Sequence, residues 1–224
     1  LHKAIRRQRQ MCIRDRWKSV SRTSTNLGVN LSGLTPEHDY VYRVIGYDKR
    51  SNRGTPSEEI IVTTLKDTIC PKVTKITPDP GYFKSEINLR FTAEDDYRVK
   101  SIEIQTSTDK ESWKTVSEIK ATGESAKCTF DCKLDLKNYE EGSVFVRAKV
   151  YDSYGNVTED KDLTCYEYVV DRTAPVQPTG VTASSGETEG GSSFVNISWN
   201  AITDDNSFAY YRVYKSNSAD GEFT

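Results

Sequence analysis

Few side chains in this 224-residue chain have the type and spacing to do chemistry. There are two histidines, His2 and His38, and five cysteines. A Ser-His-Asp or Cys-His site needs a base held against a nucleophile. His38 sits beside Asp39 in a turn with no nucleophile at a recognisable spacing, so it reads as a solvated loop histidine. The chain has no Gly-rich phosphate loop, no His-x-x-x-His and no Cys-x-x-Cys pair. No catalytic residue, cofactor site or metal site is therefore assigned, and the chain is not expected to be an enzyme. Carboxylates remain. Asp67, Asp95, Asp96 and Asp152 with Asn156 form one set of hard oxygen ligands, and Asp171, Asp204 and Asp205 form another. Such groups would suit Ca²⁺ if they converged. The competing reading, which we adopt, is acidic residues shaping solvated turns.

Composition sets the outer limits. Lys+Arg 31 against Asp+Glu 33 gives a formal net charge of -2, which argues against a nucleic-acid partner. No apolar run approaches the roughly 20 residues of a membrane-crossing helix. Tyr 13, Phe 7 and Trp 3 supply enough bulky surface for real cores.

Residues 1–16 (LHKAIRRQRQMCIRDR) stand apart. They hold six basic residues against Asp15, a charge of +5, which leaves -7 for the rest of the chain. They lack the apolar stretch of about 7–15 residues that a signal peptide requires. The run RQRQMCIRDR resembles translated sequencing-adapter read-through. Residues 1–16, Cys12 included, are accordingly expected to be a non-native leader.

The elements that must position the remaining groups have period two. Tyr40–Val44, Ile87–Phe91, Ser101–Ile104, Val144–Val150 and Val195–Trp199 all alternate apolar and polar residues. Alternation buries one face of a strand and wets the other. Turn formers separate the runs at Asp79-Pro80-Gly81, Asp109-Lys110, Glu141-Gly142, Gly155-Asn156, Gly190-Gly191 and Asp220-Gly221. Short strands with regular turns and no amphipathic helix predict an all-β sandwich or barrel. A repeat divides the chain. Asp67-Thr68-Ile69-Cys70-Pro71 returns as Asp171-Arg172-Thr173-Ala174-Pro175, and Arg43 and Tyr47-Asp48 return as Arg147 and Tyr151-Asp152, all at an offset of 104.

Leu34-Thr35-Pro36 followed by Tyr40-Val41-Tyr42-Arg43-Val44 resembles the C-terminal half of a fibronectin type III domain. The resemblance implies that the Tyr40 hydroxyl bonds nearby backbone as a tyrosine corner, and that Tyr40, Tyr42 and Val44 face inward. Val195-Asn196-Ile197-Ser198-Trp199 and Tyr211-Arg212-Val213-Tyr214-Lys215 resemble strands B and C of the same family. Thr92–Ile104 and Val150–Asn156 resemble bacterial immunoglobulin-like repeats, and Asp171-Arg172-Thr173-Ala174-Pro175 resembles their linker. The implied architecture is tandem immunoglobulin-like and fibronectin type III β-sandwiches: 17–66 a C-terminal half, 67–173 an immunoglobulin-like domain, 174–224 an N-terminal half. The segment is then expected to be a fragment of a longer array.

The same resemblance would bring the entry linker, B–C loop and F–G loop to one pole, gathering the two acidic sets named above. It would also run the first and last strands side by side, allowing a Cys70–Cys165 bridge. Cys128 and Cys132, about 13 Å apart along one strand, are too distant to bond each other. Two disulfides among Cys70, Cys128, Cys132 and Cys165 and four free, mostly buried thiols both remain open, the second being the expected one. Lys49–Gly54 would form an F–G loop, read as a solvated charged turn. Asn30-Leu31-Ser32, Asn156-Val157-Thr158 and Asn196-Ile197-Ser198 fit a glycosylation sequon, which would be coincidental in a bacterial protein.

The function expected from all this is a non-catalytic spacer or adhesive stalk of a bacterial extracellular multidomain protein, secreted or at the cell surface. The alternative is a set of accessory modules of a secreted carbohydrate-active or proteolytic enzyme whose catalytic domain lies elsewhere. Partners would be neighbouring domains of the same chain and a protein or glycan ligand. No nucleic acid, membrane span or cofactor is expected.

Overall fold

A computed structural model describes residues 17–20, 27–203 and 205–216. Expectations for residues 1–16, Asp204, Asp220-Gly221 and the chain after Ser216 lie outside the described residues. The chain divides into two compact units, Leu1–Thr68 and Ile69–Thr224. Among the described residues the regular structure is ten strands and a single turn of 3₁₀ helix at Asp160–Asp162.

In the first unit, β1 (Asp39–Tyr42) and β2 (Ile60–Thr63) pair antiparallel, with Tyr40 opposite Val62 and Tyr42 opposite Ile60. The strand ends two residues before the expected Val44, which is 76% exposed instead of facing inward. Val44 is held in an irregular segment, where its N–H donates to Ser57 Oγ at 2.9 Å. With no second layer over it among the described residues, its inward face has nothing to meet.

The second unit is built on one curled sheet. β3 (Lys72–Thr77), β5 (Glu86–Ser107), β7 (Gly142–Asp152), β8 (Tyr166–Val170) and β4 (Tyr82–Phe83) follow one another across it, and β6 (Lys114–Asp135) runs along β5. The sequence predicts separate strands at 87–91 and 101–104. In the structure both lie in the 22-residue β5. Its pairing with β6 breaks between Glu94 and Val99 and again between Val99 and Ser101. These breaks are what let the strand turn over. Before them the buried apolar residues are odd-numbered (Ile87, Leu89, Phe91, Ala93); after them they are even-numbered (Ile102, Ile104).

Both arms of β5 therefore feed one core. Phe91, Phe130, Leu134 and Leu136 join Val144, Val146, Val150, Tyr168 and Val170 in a single buried cluster. Tyr168 is the largest fully buried side chain of that cluster. Its hydroxyl donates to the Pro78 carbonyl at 2.9 Å, so its polar end is satisfied where its ring is dry.

The C-terminal segment of this unit carries a separate antiparallel pair, β9 (Thr182–Glu187) and β10 (Ser193–Ser198). Tyr211–Lys215, expected as a strand, is irregular. Tyr211 packs by its ring instead, edge-on to Trp199 with centroids 5.1 Å apart, and its hydroxyl accepts from Ile202 N–H at 2.6 Å. A strand needs a neighbour to pair with, and none stands beside this stretch among the described residues.

Candidate functional site

The loops carry the groups singled out by sequence. After β7 the chain turns through Asp152-Ser153-Tyr154-Gly155-Asn156. Asp152 Oδ1 accepts from the N–H groups of Tyr154 (2.9 Å) and Asn156 (2.7 Å), and Oδ2 accepts from the Asn156 side-chain amide at 2.6 Å. The Asp152 N–H returns to the Asn156 carbonyl, and Tyr151 bridges Val157. A buried carboxylate with both oxygens so engaged is a loop staple.

An equivalent staple closes the earlier loop. Asp48 Oδ1 accepts from Arg50 and Asn52 N–H at 2.9 and 2.8 Å, and Oδ2 accepts from Asn52 Nδ2 at 2.8 Å. Asp48 N–H bonds the Asn52 carbonyl, and Tyr47 bridges Arg53. These bonds hold the Asp48 carboxyl below its usual range, the Asn52 side chain contributing most. The repeat thus extends past Tyr-Asp to the asparagines at 52 and 156, a pair at the same offset that sequence reading passed over. The basic loop 49–54 is shaped by that staple.

The other carboxylates behave alike. Asp95 Oδ2 accepts from Arg98 N–H at 2.9 Å across the turn where β5 reverses its faces, and Asp96 is exposed. Asp67 belongs to the first unit and the other members of its set to the second. Asp171 and Asp205 do line one cleft of about 220 Å³, with Thr173, Ala174, Pro175 and Val176. Asp171 there accepts from Thr173 N–H at 3.1 Å, and Asp205 accepts from both N–H (2.7 Å) and Oγ (2.6 Å) of Ser207. In every case where a bond can be named, the acid organises its own turn.

His38 is exposed and lies edge-on to Tyr40, with ring centroids 4.7 Å apart. Cys70, Cys128, Cys132 and Cys165 are free thiols, but not mostly buried as expected: the first three are half-buried and Cys165 is exposed. Burial pushes the Cys128, Cys132 and Cys165 thiols up, away from the thiolate that a nucleophile requires. The Tyr40 hydroxyl accepts from Thr35 N–H at 2.9 Å, as the resemblance implied.

Two groups outside the sequence reading matter more. Arg172, inside the expected linker, donates through Nη2 to the carbonyls of Leu136 (2.7 Å) and Tyr139 (3.0 Å). Glu141 accepts from Arg172 N–H at 2.9 Å and from Thr173 Oγ1 at 2.9 Å. Asp171 N–H bonds the Phe83 carbonyl. The linker is therefore fastened to the loop before β7 and to β4. No spacing rule couples positions some thirty residues apart, so this latch has no sequence signal.

On the sheet face away from the core, Arg147 stacks on Trp113 at 4.0 Å and donates to Gln105 Oε1 at 2.8 Å. Gln105 in turn donates to Glu103, which also accepts from the Tyr151 hydroxyl at 2.8 Å and from Thr115. These groups satisfy one another across β5, β6 and β7.

Among the described residues no helix is long and apolar enough to cross a membrane. No known family model matches the chain, and no curated protein matches it.

Proposed function

We propose that this chain is a non-catalytic, load-carrying segment of an extracellular bacterial protein, built from immunoglobulin-like and fibronectin type III β-sandwiches that space other domains. Support for the sandwich reading comes from the Tyr40–Thr35 corner bond, the doubled Asp-Asn loop staple and the curled sheet around one core. The single observation that carries the spacer reading is the Arg172–Glu141 latch. A spacer must resist bending where one element leaves and the next begins. A linker left to water would hinge there. Three successive residues, Asp171, Arg172 and Thr173, instead hydrogen-bond to partners elsewhere in the body of the unit.

Amide hydrogen exchange on the full chain tests this. The N–H groups of Asp171 and Arg172 should exchange about as slowly as those of β8, and Glu141→Ala should speed Arg172 exchange by at least about tenfold, the equivalent of some 1.4 kcal/mol of local opening. Exchange of both amides at free-peptide rates in the unaltered chain would make 171–175 a swivel and defeat the spacer reading.

A further inference from the structure

β6 lies in the middle of the second unit and, among the described strands, pairs with β5 alone. Its second half is the longest unbroken stretch of that pairing: Lys127 through Asp135 stand opposite Glu94 through Glu86 with no shift of register. Both ends show which way its backbone groups point. Lys127 N–H turns to Ser125 Oγ at 3.2 Å, and Leu136 N–H, one place beyond the strand, donates to the Ser85 carbonyl at 2.9 Å. Even-numbered residues of the run therefore bond to β5, and the N–H and C=O groups of Thr129, Asp131, Lys133 and Asp135 point away from it. These four residues are exposed, and among the described residues none of their outward backbone groups is bonded. Nor do charged side chains guard the rim. Lys127, Asp131 and Lys133 are drawn back across the sheet onto Glu94, Arg90 and Glu86.

A straight, bare edge is a template for another strand. A second copy of β6 fits it. Outward backbone groups recur at every other residue, so in an antiparallel pairing of two copies the two-fold axis must fall on a residue. Centred on Asp131, the pairing is longest but sets that acid against itself. Centred on Phe130, it sets Lys127 against Lys133. Centred on Cys132, it runs over 129–135, places Asp131 of each copy opposite Lys133 of the other, and opposes no like charges. Centres nearer either end oppose Lys133 to itself or pair fewer residues. In the Cys132 register the row of charges alternates across the joint: Arg90, Asp131, then Lys133 of the second copy and its Glu86.

We propose that two copies of this chain join edge to edge through the second half of β6, antiparallel about Cys132. The sheet of β3, β5 and β6 then continues into its counterpart. Each copy uses the same edge, so the contact is self-complementary and closes at a dimer. On the core side Phe130 of each copy meets Leu134 of the other. The two Cys132 residues face one another as a pair without mutual backbone bonds, whose Cα atoms stand about 4.5 Å apart. That falls inside the roughly 4.4–6.8 Å that a disulfide spans, so the register can be read by cross-linking. The inference does not rest on the spacer reading, since it needs only the edge and its charges.

Sedimentation equilibrium of the full chain, from roughly 1 µM to 1 mM, measures the association directly. The weight-average mass should rise with concentration from 25.3 kDa toward twice that value and stop. Full-length Lys133→Asp opposes acid to acid across the joint, and full-length Asp131→Lys opposes base to base. Each variant alone should stay at 25.3 kDa, with a circular dichroism spectrum unchanged from the parent. An equimolar mixture of the two restores both opposite-charge pairs, so it should reach twice that mass. Separately, the full chain carrying Cys12→Ser and Cys165→Ser is oxidised in air with copper phenanthroline, oxygen taking up the two electrons. It should form a dimer whose cross-link maps by peptide mass to Cys132 and Cys132. Five results would each overturn the proposal: a parent chain monomeric throughout, growth past the dimer, a single variant that associates as well as the parent, a mixture no heavier than its parts, or a cross-link between other cysteines.

Discussion

The Asn156 side-chain amide donates to the Asp152 carboxylate at 2.6 Å, and the same bond joins Asn52 to Asp48 at 2.8 Å in the other unit. Two loops of unlike sequence, Asp-Ser-Tyr-Gly-Asn and Asp-Lys-Arg-Ser-Asn, are closed by one device. Their interior residues are free to differ because the turn is fixed by its first and last side chains and by backbone N–H groups.

Asp152→Ala removes a buried acceptor that three donors of its loop use. The expected loss is about 2–4 kcal/mol in urea denaturation, well above that of the exposed Asp48→Ala. The loss should be the same in EDTA and in millimolar calcium. A penalty that appears only with calcium would make Asp152 a ligand and not a staple.

Gly155 has φ +94° with open space where a Cβ would stand, and Ser51 occupies the matching position of the other loop at φ +66°. Gly155→Ala should cost about 1 kcal/mol through backbone strain alone, without a clash. Ser51→Gly should recover up to about 1 kcal/mol by relieving the same strain. Urea midpoints of the two variants moving in opposite directions would bear this out. Midpoints moving together would show that the loops are not equivalent.

Burial pushes the Tyr168 phenol up to about 12. Its folded pKa thus lies above the unfolded value near 10, so the folded state favours the neutral form. That contribution is whole below pH 10 and is lost as pH rises through 12. Relative to Tyr168→Phe, the parent should lose about 1 kcal/mol between pH 9 and pH 11. The variant itself should cost about 1 kcal/mol at neutral pH, because the bond to the Pro78 carbonyl goes with the hydroxyl. Parallel pH profiles for the two proteins would refute the assignment.

The strands were legible because alternation is a local signal. Val144–Val150 and Val195–Trp199 fall on β7 and β10 with only their ends displaced. The reversal of β5 was not legible. Ile87–Phe91 and Ser101–Ile104 read as separate strands because the Asp95–Arg98 stretch resembles a loop, and whether a chain breaks or twists there is decided by what both arms pack against. Val44 and Tyr211–Lys215 failed for the opposite reason. Each has the pattern of a strand, but a pattern specifies a face and cannot supply the neighbour that face needs. The Arg172–Glu141 latch left no trace either, since it depends on where two distant loops come to rest. The asparagines at 52 and 156 were in plain view, sharing the offset already seen in Tyr47-Asp48 and Tyr151-Asp152.

The long pairing of β5 with β6 also gives assembly a direction in time. Registered contacts run from Thr106–Lys114, beside a short turn, outward to Glu86–Asp135 at the far end. Closing that turn costs little chain entropy, and each further pair is brought near by the one before. β8 reaches β7 across the intervening 3₁₀ turn and must dock on a surface that is already there. Refolding should accordingly slow when Ile104 or Ile119, near the turn, is trimmed to Val, while Val170→Ala should leave refolding alone and hasten unfolding. The hairpin is the template, and the rest of the unit condenses upon it.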